Sequence, residues 1–110
     1  MVTIIVCKNS KEEVIALRVN GHAGYAEQGQ DIVCSAVSVL TLNTINSISH
    51  LLGIKLLPES KVGLLECKFP EQEDEKLQEK MQLLLKSMLL GVQAIKDNYS
   101  DYIKFEMKYV

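Results

Sequence analysis

Gly21 to Gly53 reads GHAGYAEQGQDIVCSAVSVLTLNTINSISHLLG, and its two parts follow different rules. The first part, Gly21–Gln30, carries Gly21, Gly24 and Gly29 and shows neither a strand nor a helix period, so it is predicted as a permissive loop. From Asp31 the apolar residues Val33, Ala36, Val37, Leu40, Ile45, Ile48, Leu51 and Leu52 recur at helical spacing. Asp31 has the chemistry of an N-cap and Gly53 that of a C′ residue, so the spacing predicts a helix from Asp31 to about His50–Leu52. The opposite side of this helix, Ser35, Ser38, Thr41, Asn43 and Ser47, is polar yet uncharged, which suits packing against something better than bare solvent.

The chain before this stretch is β-branched and apolar. Met1–Lys8 reads as a strand, and Asn9-Ser10-Lys11 is turn chemistry. From Glu13, Ile15, Leu17 and Val19 alternate with Ala16, Arg18 and Asn20, giving a second strand and hence a hairpin. On the other side, Ile54–Leu57 is a short apolar segment ended by Pro58. Val62–Phe69 reads as a strand with Leu65, Cys67 and Phe69 on one face. Pro70 opens a second helix, Glu71–Asp97, whose acidic start matches the positive end of the helix dipole. Its core stripe is Leu77, Met81, Leu84, Leu85, Met88, Val92 and Ile95. After the break Asn98-Tyr99-Ser100, Tyr102–Val110 alternates again. The order ββα(β)βαβ predicts an α+β fold, an α/β sandwich in which a mainly antiparallel sheet packs against two long helices. With 110 residues and no linker or repeat, residues 1–110 are expected to form one domain.

Composition narrows the function. Twelve Lys+Arg against 14 Asp+Glu give a net charge of −2, and tryptophan is absent, so phosphate-driven or base-stacking recognition of nucleic acid is not expected. The start has no basic segment before its short apolar run, so no signal peptide is expected. No stretch is read as a membrane span, and a cytoplasmic location is expected. Cys7, Cys34 and Cys67 are odd in number and lack a C-x-x-C pair. With His22 and His50 as the only histidines, neither a disulfide framework, a metal nor a cofactor is expected.

Chemistry concentrates in His22–Ser38. With Asp31 as cap, Cys34 would stand third in the helix, where the dipole favours thiolate and its N–H could serve an oxyanion. His22 ends the preceding strand and could act as proton acceptor and counter-ion. A cysteine near a helix start is also an ordinary buried residue, and a turn histidine an ordinary hydrogen-bonded one. Their joint position around one glycine loop is what favours catalysis. Cys7 and Cys67 fall in apolar strand patterns and read as core. Ser38, one turn beyond Cys34, lines the site or is a plain helix-surface serine. Asp31 either caps the helix or orients His22. Gly24 and Gly29 bracket a segment that would serve as a substrate-gated lid, Ala23–Gln30, or as a rigid turn.

Gly21-His22-Ala23-Gly24-Tyr25-Ala26, followed by Gly29-Gln30-Asp31-Ile32-Val33-Cys34-Ser35-Ala36-Val37-Ser38, closely resembles the ribosomal-processing cysteine protease family, Prp, over nearly the whole chain. That resemblance implies a small homodimeric bacterial protease. Its His22 and Cys34 would be the catalytic pair, and its substrate the N-terminal extension of large-subunit ribosomal protein twenty-seven, cleaved after an aromatic pair and before a small residue. Gly21, Gly24, Tyr25, Gly29, Gln30 and Ser38 are the candidate substrate-binding or lid residues. The competing readings are a non-enzymatic ribosome-associated peptide-binding module and a thiol redox sensor, the latter disfavoured because no resolving cysteine lies near Cys34 in sequence.

Overall fold

The computed structural model describes residues 1–21 and 28–110, with residues 28–31 described through their backbone alone. Five strands and two helices follow in the order β1 (Val2–Lys8), β2 (Val14–Asn20), α1 (Gln28–Leu52), β3 (Glu59–Lys61), β4 (Leu64–Lys68), α2 (Glu75–Asn98) and β5 (Ile103–Tyr109). The sheet order is β3-β4-β2-β1-β5. Three pairings are antiparallel, and β5 joins β1 in parallel, Val2 opposite Ile103 through Lys8 opposite Tyr109. The predicted α+β architecture is therefore the observed one.

Both helices lie against the sheet and against each other. The core is the residue set of one sheet face and two helix stripes: Ile4, Val6, Leu17 and Leu65 from strands, Val33, Val37, Ile45 and Ile48 from α1, Met81, Leu85, Met88 and Val92 from α2. The predicted stripe of α2 is thus the buried one, with Leu77, Leu84 and Ile95 at its margins. Gly91 brings α2 close to α1, since a Cβ there would lie 2.7 Å from Leu40 Cδ2. Contrary to expectation, residues 32–52 of α1, uncharged at neutral histidine, are long and apolar enough, by length and composition, to cross a membrane. Here Val33, Val37 and Ile48 of that run are fully buried against the sheet and α2.

Several boundaries differ from expectation for identifiable reasons. Helix α2 begins at Glu75 rather than Glu71, because the Asp74 carboxylate accepts from the N–H groups of Lys76 (2.9 Å) and Leu77 (3.1 Å) and makes the cap itself. Ile54 and Leu56 reach the core without pairing in the sheet, and β3 starts only after Pro58. The strand expected from Val62 starts at Leu64, because Val62 and Gly63 form the β3–β4 turn, with Gly63 at φ 77°. In β2 the alternation breaks. Cys7 pairs with Ala16 but Lys8 with Val14, so Ile15 is an extra, bulged residue and Val14, not Ile15, enters the core. On α1, Thr41 is buried rather than outward, its hydroxyl donating to the Val37 carbonyl at 2.8 Å, as the buried Thr44 hydroxyl does to Leu40 at 2.9 Å, while Leu51 is exposed. Gly53 ends α1 as predicted, at φ 67° with its N–H on Ser49.

The bulge has a dedicated partner. Buried Gln82 of α2 accepts from the Val14 N–H at 2.8 Å and donates to the Val14 carbonyl at 2.9 Å. Its amide replaces the ladder partners that the irregular register denies to Val14.

Candidate active site

Cys34 is 9% exposed and borders a groove of about 410 Å³. Three elements build it. The sheet supplies Val2, Val19 and Gly21, and α1 supplies Cys34, Ser38, Thr41 and Leu42. The β3–β4 hairpin, Ser60 through Leu65, supplies the opposing wall. The surface is mainly aliphatic, and among the described residues Lys61 is its only charged side chain. Helical spacing explains the α1 contribution, since Cys34, Ser38, Thr41 and Leu42 recur at i, i+4, i+7 and i+8 along one stripe.

Gly21 is required by its position. Its N–H donates to the Gly63 carbonyl at 3.0 Å, which ties the end of β2 to the hairpin turn. A Cβ there would stand 2.7 Å from the Val2 Cα and 2.9 Å from the Met1 carbonyl oxygen, both backbone atoms that cannot swing away. The chain therefore leaves the sheet, immediately before His22, through a point fixed on two sides.

Of the residues singled out from sequence, the structure brings Gly21, Cys34 and Ser38 to one groove. His22, Gly24 and Tyr25 lie outside the described residues, as does most of the Ala23–Gln30 segment read as a lid. Gly29 and Gln30 belong to α1 and not to a loop, since the helix begins at Gln28. Asp31 is therefore the fourth residue of α1 and cannot be its N-cap. Cys34 is seventh, so its N–H is committed to the helix ladder and is not an oxyanion donor. The early start is physically reasonable. Glutamine is a good helix former, and an acid inside the first turn suits the dipole about as well as one at the cap. Because the dipole acts mainly over the first turn, its hold on a Cys34 thiolate is weaker than the predicted third position would give. The hairpin wall and Leu42 were not singled out from sequence. Gly63 in a polar–apolar hairpin was the available signal for the turn, but nothing local says that this turn faces α1.

The other cysteines differ from Cys34 in setting. Cys67 is buried in β4 and its thiol is pushed up to about 11 by desolvation, so it stays protonated at neutral pH. Cys7 is half-buried in β1, opposite Ala16 and Lys108 in the neighbouring strands. Among the described residues no group of three His, Cys, Asp or Glu side chains could hold a metal ion.

The family model of cysteine protease Prp matches residues 1–104. The chain belongs to the cysteine protease Prp family. It is similar to the ribosomal processing cysteine protease Prp of Bacillus subtilis, with 27% identity over 94% of this chain and 95% of that one. The Prp of Staphylococcus aureus is 27% identical over 98% of this chain and 100% of its own. Two crystal structures of the essential ribosomal processing protease Prp from S. aureus superpose on the fold. The one in complex with a substrate peptide has a TM-score of 0.87, and the one with a covalently linked product peptide 0.83. Each is 25% identical and covers 98% of this chain and 100% of that one. Membership of the Prp family makes this chain a cysteine protease, a hydrolase, which sets aside both the purely binding and the redox-sensor readings.

Proposed function

We propose that this protease removes the N-terminal extension of large-subunit ribosomal protein twenty-seven, with Cys34 as nucleophile and His22 as its acid–base partner. The observation that carries the reading is Cys34 lining an apolar groove between α1 and a hairpin, in a chain of the Prp family. The Cys34 thiolate attacks the scissile carbonyl carbon, and the π electrons move to oxygen to give a tetrahedral oxyanion. The C–N bond then breaks, and His22 gives its proton to the departing amine, leaving the extension as a thioester on Sγ. Water attacks the thioester, His22 takes its proton, and the C–S bond breaks to release the carboxylate and restore the thiolate. Orienting His22 is the proposed role of Asp31. The fold is read as a homodimer in the cytoplasm, its uncharged α1 surface, which exposes Ile32, Val39 and Leu51, forming the contact between copies.

Incubation with the precursor of the ribosomal protein, followed by mass measurement, tests this reading. The product should be shorter by the extension, cut after an aromatic pair. Cys34→Ala and Cys34→Ser should both abolish cleavage while the melting curve is kept. His22→Ala should lower turnover by about 10²–10⁴-fold, the usual contribution of a positioned acid–base group. Wild-type turnover in Cys34→Ala would end the proposal.

A further inference from the structure

Leu42 lies eight positions beyond Cys34 on the α1 stripe that borders the groove, a distance of about 12 Å at the helical rise. An extended peptide covers that distance in about three to four residues. Leu42 is a large aliphatic side chain left 39% exposed, in a groove that also holds Val19, Leu64 and Leu65. Lys61 in the same wall disfavours a second cation. We infer that Leu42 is a specificity-determining residue, receiving an uncharged apolar side chain of the substrate three to four residues before the scissile bond. The inference rests on the proposed processing reaction. There the part of the substrate before the cut is an extension, free to lie extended between a helix and a hairpin, while the part after it belongs to a folded protein.

The contact makes recognition depend on a residue distant from the cut. It also gives the groove a reason for an exposed leucine, since the substrate completes the packing around it. Peptides spanning the cleavage site, each with one position changed to alanine, are cleaved by wild type and by Leu42→Ala and Leu42→Met, with melting curves confirming that each variant folds. For wild type, alanine at the third or fourth position before the cut should lower kcat/KM by roughly tenfold, since a half-open groove buries only part of an aliphatic side chain. In Leu42→Ala that ratio should fall toward one, and in Leu42→Met it should return. A wild-type profile insensitive at those positions, sensitivity found only after the cut, or an unchanged ratio in Leu42→Ala overturns the assignment while leaving the processing reaction standing. Failure of wild type to cleave any of the peptides or the full precursor overturns both.

Discussion

Replacing Gln82 by leucine removes two hydrogen bonds at once and puts nothing polar in their place. The Val14 N–H and carbonyl, which the amide holds at 2.8 and 2.9 Å, belong to a residue with no exposed surface. Water cannot take over from the lost amide, so the cost is the desolvation penalty of orphaned backbone groups rather than the small net value of an ordinary exchange with solvent. That penalty is about 1–3 kcal/mol for each group, and leucine regains some apolar burial, so Gln82→Leu should lose about 2–4 kcal/mol. For a chain of this size the melting temperature should fall by roughly 8–16 °C. Thermal and urea melts followed by circular dichroism measure this directly. Gln82→Glu sharpens the test. The protonated acid can donate to the Val14 carbonyl and accept from the N–H, whereas the carboxylate can only accept. Its folded pKa is therefore raised above the unfolded value, and its contribution, present at low pH, is lost as pH rises through the folded pKa. Relative to wild type at the same pH, Gln82→Glu should be close at pH 4 and clearly weaker at pH 8. A Gln82→Leu melt within about 2 °C of wild type would show that the bulge does not need its partner.

Four further outcomes are expected. Iodoacetamide at neutral pH should label Cys34, which borders the groove, far faster than Cys67, whose buried thiol is pushed up to about 11 by desolvation and so stays protonated; peptide mapping of a time course reads the order. Gly21→Ala should fold poorly or lose activity with a lowered melting point, as its Cβ meets the Val2 backbone at 2.7 Å; wild-type melting and turnover would refute the close approach. Asp74→Ala should lose about 1 kcal/mol in urea melts through loss of the α2 cap. Glu13 has its carboxyl held below the usual range by hydrogen bonds from Asn9 and then Gln78. The stability this brings is present above its unfolded pKa and lost as pH falls through the folded one, so Glu13→Gln should flatten the acid limb of a stability–pH curve.

The long helices were legible because their period is long and repeated. Met81, Leu85, Met88 and Val92 could be placed in the core from spacing alone, and all four are buried. Short elements carry too few repeats for that. Ile54 and Leu56 alternate as strand residues do, yet they reach the core from an irregular segment, while the true strand Glu59–Lys61 is exposed and polar because it is an edge. One bulged residue, Ile15, was enough to reverse the expected facing at the start of β2, and buried Gln82, 68 positions beyond Val14, answers it. Among residues bordering the groove, Cys34 and Ser38 were singled out from type and spacing and Gly21 through the family resemblance. The hairpin wall was not, since its place beside Cys34 comes from the β2–β4 pairing, which no local pattern encodes, whereas Leu42 shares the Cys34 stripe by helical spacing alone.

Every described residue bordering the groove falls between Val2 and Leu65, and none comes from α2 or β5. The chain thus separates its labour lengthwise: an early portion that borders the groove and a later one that braces it. Selection on cleavage preference and selection on stability then act on different parts of one small gene product. On the proposed assignment of Leu42, substrate choice can drift there while α2 keeps its stripe. The outward side of α2, where Leu83 and Leu90 stand exposed, lies away from every described residue that borders the groove.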